Sequence, residues 1–566
     1  MVALAGLKFD HYWVFSEVES ALKEFAASYP NLCTIESAGK SGEGRDIWAV
    51  TITDRSAGCP PGEKPAFYFD GNHHAGEVTG SMILVYTVKH LLESFGKDER
   101  VTRILQRYTV YAIPRVSPDG AEVYLTTPET LRSVPRFYPH PHPDEKEGLH
   151  PADIDGDGEI LLMRVMDPAG EWKPSSKDPR ALARRQPDEE CGTFYRIYTE
   201  GLIRDYDDGE VRTAPVKWGL DLNRNYPYSW APDTRQPGSG EFPLSEPETR
   251  AVAEFVVKHP NIVLAFTYHT TGGVILRVPG SHPAARSPQR DIQALIAIGE
   301  MGTEETGYPC VPCFEDFMGA NAESFSTGAF DDWLYEHKGI LSYTVETWNQ
   351  AQRAGVQQWP RRPKSPKEQD EDFLKMLAWN DRELGGKGWE SWRPFDHPQL
   401  GPVEIGGWHS KFVAQNAPFL FLEGECHKNM RFSLRAMACL PRLEMGKVAA
   451  KKLGEGVYEV SALVKNIGYL PTFGSYQAQV VNKGEPLEAE VRGDGIQVTG
   501  KNKKPIGHLE GRSGSAGGFA MGYGRGGAGI RETKVAWVVK ATKGTVLSIR
   551  VSGPRAGVVK AEVAVE

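Results

Sequence analysis

Near the start of the chain Val18, Leu22 and Phe25 fall at helical spacing behind Ser16 and Glu19, whose separation predicts a capping box and a scaffold helix. Four short, nearly continuous apolar runs follow at residues 66–69, 109–113, 262–268 and 340–345, with the β-branched and aromatic content of buried strands. Helical patterns separate them, notably at 82–92 and 249–257. This alternation predicts an α/β unit with a mixed or mostly parallel central sheet flanked by helices. Towards the C-terminus the period changes to two, in segments 457–464, 476–481, 535–539, 546–551 and 558–565, which predicts an all-β sandwich. Between about 130 and 215 periodicity gives way to polar, Pro-rich and charged sequence holding His140, His142, Asp153, Asp155 and Asp157, read as an insertion of surface loops. The expected organisation is an α/β domain over 1–385, a Gly- and Trp-rich connecting region over 386–435 and a β-sandwich over 436–566, with a Gly-rich flexible loop at 513–529. No internal repeat is visible.

Composition narrows the function without naming it. The 566 residues carry a net charge of -9, which offers no electrostatic footprint for nucleic acid or anionic lipid. No run approaches the ~18 apolar residues of a membrane span, and the first residues lack the pattern of a secretory signal. The compartment stays open, since a leader upstream of these residues is compatible with the chain. Seven cysteines, an odd number, do not suggest a disulfide framework, and Cys310 and Cys313 form a single CxxC without the second pair a zinc ribbon needs.

The residues just past the strand runs are chemically richer than the runs. The first run leads into Asp70-Gly71-Asn72-His73-His74-Ala75-Gly76-Glu77, the second to Pro118-Asp119-Gly120, the third to His269 and the fourth to Glu346. Open α/β sheets bind ligands at the C-terminal ends of their strands. His74 and Glu77, joined by His269, offer two nitrogens and a carboxylate, the set that leaves a tetrahedral zinc one position for water.

In order along the chain stand His74/Glu77, Pro118-Asp119-Gly120, Asp221-Leu222-Asn223-Arg224-Asn225, His269-Thr270 and Thr344-Val345-Glu346, preceded by Ser41-Gly42-Glu43-Gly44-Arg45. This series resembles the zinc carboxypeptidases of the A and B type over roughly residues 8 to 385. The resemblance implies one catalytic Zn2+ held by His74, Glu77 and His269. It implies Glu346 as general base, taking a proton from the attacking water and delivering it to the leaving amine. Asn223 and Arg224 would bind the free C-terminal carboxylate of a peptide, and an arginine would stabilise the developing oxyanion. Arg132 is the expected oxyanion residue and Arg164 the alternative, with Arg136 a solvated neighbour. Asp331, at the family's pocket-floor position, implies a preference for C-terminal Lys or Arg.

Two features depart from the family. Its mobile tyrosine would fall near Ser324 and Phe325, where no Tyr occurs, and the insertion before Asp221 reshapes the cleft entrance. Asp153-Ile154-Asp155-Gly156-Asp157-Gly158 also opens like a calcium loop, so Ca2+ at Asp153, Asp155 and Asp157 is a second metal expectation, although Arg164 stands where an EF-hand places its Glu. The partners expected are peptide or protein C-termini. Amidase action on cell-wall peptides or side-chain-linked glutamate, and ligand binding on an inactive peptidase fold, remain as alternatives.

Overall fold

A computed structural model describes residues 6–139, 147–318, 327–514 and 529–566. His140, His142, Ser324, Phe325 and most of the Gly-rich run lie outside them. The core is an eight-stranded mixed sheet, ordered across its width Cys33–Lys40, Asp46–Ile52, Thr109–Ile113, Ala66–Gly71, Ile262–Thr270, Leu341–Thr347, Val274–Arg277 and Cys310–Pro312. The four strands foreseen from apolar runs are its centre and run parallel to one another.

Both faces of these strands are buried, which is why they read as continuous apolar runs rather than as alternation. In Ala66–Gly71, Phe67 and Phe69 join one core with helices Phe15–Ser28, Val78–Ser94, Gln289–Thr306 and Phe419–Met437. Ala66 and Tyr68 join the opposite core with helices Pro247–Lys258 and Phe330–Lys338. Helix Phe419–Met437 packs on Val78–Ser94 and Gln289–Thr306, so part of the region read as a connector closes one face of the sheet. The first helix begins at Phe15, and its capping partner is Glu17, which accepts from the Val14 N–H at 2.9 Å. Glu19 instead accepts from the Trp48 indole at 3.1 Å.

Two sequence expectations change here. The stretch from 148 to 204 is not a set of loops. Its strands form a two-stranded pairing of Gly148–Pro151 with Gly201–Arg204, and part of a six-stranded sheet completed by Trp389–His397 and Gly401–Trp408. These strands are short and half-buried, so neither length nor period announces them. Residues 476–480 are helical, Tyr476–Val480, with Ser475 capping through an Oγ that accepts from the Ala478 N–H. That local cap, and packing against helix Phe330–Lys338, override the strand propensity of the segment.

Beyond residue 443 two four-stranded sheets face each other across a core of Val460, Val491, Trp537 and Ile549. This unit touches the α/β unit through buried polar contacts. Arg555, fully buried, donates to the carbonyls of Gly339 at 2.7 Å and Phe473 at 3.4 Å and lies against that of Lys338 at 2.5 Å. Asp291 accepts from the Tyr476 and Gln477 N–H groups at 2.8 and 2.9 Å.

Candidate metal centre and active site

The chain leaves strand Ala66–Gly71 through Asn72, which takes a left-handed φ of 65° and donates its side-chain amide to the carbonyls of His74 and Ala75. That turn swings His74 back over the strand end and delivers Glu77 to the N-terminus of helix Val78–Ser94. His269 comes from the C-terminal end of the neighbouring strand, and Glu346 lies directly opposite it in register on the next one. Three consecutive strand ends of the parallel centre thus present four groups to one spot.

His74 Nδ1 stands 2.8 Å from Glu77 Oε1, His269 Nδ1 stands 2.8 Å from Glu77 Oε2, and the two Nδ1 atoms are 3.1 Å apart. Nitrogens bound ~2.05 Å from one tetrahedral zinc are separated by about 3.3 Å. The spacing therefore fits a single ion, and three buried donors within 4.8 Å of one another form a candidate metal set. The Nε2 of His74 contacts Asp221 Oδ1 at 3.0 Å, the outer carboxylate that fixes the ring of a metal-binding histidine. Burial alone would raise the Glu77 carboxyl, yet the imidazoles of His74 and His269 outweigh it and hold the group well below the usual range. Asp221 is likewise buried and held low by Arg132, His74 and Arg224. Burial, with the charge of Glu77 added, pushes Glu346 up to about 7, within the range a proton shuttle needs at neutral pH.

Of the other predicted residues, Arg132 lies beside this centre. Arg132 donates from Nε to Asp221 at 2.9 Å, and its Nη1 stands 3.5 Å from Glu77, with the side chain still 44% exposed. Arg164 is elsewhere. It forms a two-pronged pair with Glu404 at 2.7 and 3.0 Å and stacks between Tyr195 and Trp392 in the six-stranded sheet. Arg136 is not simply solvated, since it pairs with Glu246 at 2.6 Å and Glu248 at 2.7 Å. Asn223 is fixed by Asp221 and accepts from the Phe330 N–H at 2.8 Å. Arg224 beside it donates from Nη1 to the Asn223 carbonyl at 2.6 Å and has no carboxylate within ion-pair distance among the described residues.

Phe330 begins the helix that carries Asp331, so its bond to Asn223 ties that residue to the start of the helix. Asp331 is 5% exposed, accepts from Thr344 Oγ1 at 2.8 Å and from the Asp332 N–H at 3.0 Å, and has no cationic partner among the described residues. Cys313 lies within electrostatic reach of Asp331, Asp332, Arg224 and Glu346, and burial followed by those aspartates drives its thiol well up. Cys313 of the CxxC is thus a buried thiol in the field of these residues.

The calcium expectation gains no support. Asp153 accepts from the Gly156 and Gly158 N–H groups, and Asp155 and Asp157 share Arg393 at 3.0 and 2.7 Å. Glu200, which approaches Asp153 and Asp155, already accepts from the N–H groups of Ile154 and Leu161.

Two contributions escaped the sequence reading. Asp221 was visible inside its motif, but its contact with His74 spans 147 positions. Arg361 reaches the field of Glu346 because its guanidinium sits against Phe317 and Trp359, and Trp359 is anchored by its indole to the Gly272 carbonyl at 3.1 Å. No motif signals that placement. The Ser41 to Arg45 segment has a structural purpose. Ser41, Glu43 and Arg45 all bond the buried Asp119 carboxylate in the first turn of helix Pro118–Thr126.

Comparison with known proteins gives a family model described as zinc carboxypeptidase over residues 18–364, and one described as a domain of unknown function over 442–564. Carboxypeptidase D of Homo sapiens is 36% identical over 112 residues, which is 20% of this chain and 8% of that protein. A zinc carboxypeptidase of Saccharothrix mutabilis subsp. capreolus is 28% identical over 116 residues, 20% of this chain and 26% of its own length. The matched stretches thus span about a quarter or less of these relatives. Among solved structures, carboxypeptidase A from Helicoverpa armigera superposes with a TM-score of 0.41 at 17% identity, covering 66% of this chain and 74% of its own. Since the zinc carboxypeptidase model runs unbroken from before the turn that carries His74 to beyond the strand that carries Glu346, the chain belongs to the zinc carboxypeptidase family.

Proposed function

We propose that this chain is a zinc metallocarboxypeptidase that hydrolyses the last peptide bond of a polypeptide and prefers C-terminal Lys or Arg. The observation that carries the reading is the convergence of His74, Glu77 and His269 on one point, with the raised carboxyl of Glu346 one strand away. A zinc ion on this set supplies a water of lowered pKa and polarises the carbonyl to be attacked. Glu346 would take a proton from the attacking water at its carboxylate and pass it to the departing amine nitrogen, for which a group titrating near neutrality is suited. Arg132, half-exposed beside Glu77 and Asp221, presents N–H donors to the oxygen on which charge develops. Arg224, without a carboxylate partner among the described residues, binds the terminal carboxylate, with Asn223 held beside it. Asp331 favours a basic terminal side chain because a buried carboxylate lacking a cation is costly until the substrate brings one.

The test is a panel of peptides differing only in the last residue. C-terminal Lys and Arg should be released at least about tenfold faster than Leu or Phe, and Asp331→Ser should erase the difference, since a buried ion pair outweighs a methylene-scale contact. Faster release of Leu or Phe by the unmodified chain would overturn the basic preference while leaving the peptidase reading intact.

A further inference from the structure

A cleft of about 820 Å³ is lined by Arg132, whose Nη1 stands 3.5 Å from Glu77 of the metal set. Its walls come from four places: residues 129–132, the paired strands Gly148–Pro151 and Gly201–Arg204 of the insertion, the segment 213–218 that leads back towards Asp221, and Gln415. Strand alternation shapes its floor. Ile203 turns into the protein at 5% exposure while Leu202 faces out at 44%, and across from it Val216 is 68% exposed. Trp218 and Leu131 complete an apolar surface. The rim is basic: Lys217 stands 3.9 Å from the Trp218 ring centre and 3.7 Å from Glu129, and Arg204 makes no ion pair among the described residues. Contiguous exposed apolar side chains are uncommon on a protein surface without a ligand, and the volume is that of a ligand pocket rather than of one side chain.

The cleft lies on a defined side of the chemistry. Arg132 lines it, whereas Arg224, Cys313, Asp331 and Glu346 do not. A substrate whose last residue occupies the Arg224 and Asp331 side, with its scissile carbonyl against Arg132, continues towards its N-terminus into this space. We propose that the insertion builds a binding site for the polypeptide upstream of the scissile bond, one that takes several extended residues and favours apolar side chains on them. This rests on the carboxypeptidase reading above and adds to it the class of substrate: peptides with an apolar stretch before the terminal residue, not dipeptides or single amide-linked amino acids.

The experiment compares two substrates with the same C-terminal residue, an N-blocked dipeptide and a hexapeptide with Leu or Phe at the third and fourth positions from its end. Burial of such side chains in the cleft should raise kcat/KM for the hexapeptide above that for the dipeptide by about tenfold or more. Leu202→Asp and Val216→Asp, at exposed positions where folding tolerates change, should cut that advantage to about threefold or less and leave the dipeptide rate unaltered. Equal rates on the two substrates in the unmodified chain, or equal losses on both in the variants, would overturn the cleft assignment with the peptidase reading still standing. Release from neither substrate by the zinc-loaded chain would overturn both.

Discussion

At the scale of single residues, the placement of His74 depends on Asp221. One carboxylate oxygen faces His74 Nε2 at 3.0 Å and accepts from the Asn223 N–H at 2.8 Å, and the other accepts from Arg132 Nε at 2.9 Å. An Asn here has one oxygen and one NH2 group, so it turns a donor either on His74 and Asn223 or on Arg132. Asp221→Asn should weaken zinc about 10- to 100-fold, read by competition with a chelator, while the fold is retained. Unchanged zinc affinity would show that Asp221 does not orient the ligand. The candidate ligands were legible in the sequence because each follows an apolar run at a strand end, and because His74 and Glu77 are close enough to form a local motif. Asp221 as an orienting group, and Arg361 beside Glu346, were not, since each acts through contacts set only by folding. The placement of the two arginines named for the oxyanion likewise depends on remote partners: Arg164 pairs with Glu404, and Arg132 pairs with Asp221 beside the centre.

At the scale of elements, helix Phe330–Lys338 joins the pocket to the C-terminal sheets. Its first turn carries Asp331, and its end is closed by Gly339 at a φ of 60°, where an added Cβ would lie 2.3 Å from Ala478 Cα. Gly385 closes helix Pro366–Leu384 at a φ of 61° with open space around it, so it serves as a matched control for backbone strain alone. Left-handed strain costs an alanine roughly 1–2 kcal/mol, and backbone overlap adds about 1–3 kcal/mol. Gly339→Ala should therefore lower Tm clearly more than Gly385→Ala, and equal losses would mean that contact with Ala478 contributes nothing. The central strands were readable because burial on both faces removes polar residues from them. The insertion strands were not, because three- to five-residue strands with one half-exposed face carry too few positions for a period. Helix Tyr476–Val480 was misread as a strand because its cap and its packing partner lie outside the segment's own pattern.

At the scale of the whole molecule, the two units are joined by polar groups buried between them, which gives their association a pH dependence. Asp291 is raised by burial from its ordinary 3.8 to about 6, although the Tyr476 and Gln477 N–H groups and the Tyr335 hydroxyl pull the other way. The folded state therefore holds this proton more tightly than the unfolded chain, so the contribution is complete below about pH 4 and is lost as pH rises through 6. The shift corresponds to on the order of 2 to 3 kcal/mol. Unfolding followed from pH 4 to 7 should show a fall in stability that is shallower in Asp291→Asn, and identical slopes would remove Asp291 from the account. The presence of a β-rich C-terminal region was legible from its period of two, whereas its attachment through Arg555 and Asp291 was not, because buried charges leave no trace in a hydrophobic pattern. The account stands on one centre assembled from three strand ends. Zinc content and C-terminal residue release, measured on the same preparations of the unmodified chain and Glu346→Gln, test it most directly. One zinc per chain is expected in both, with release falling about 10²- to 10⁴-fold in the variant. Release undiminished by Glu346→Gln, or an unmodified chain that binds no zinc, would contradict it.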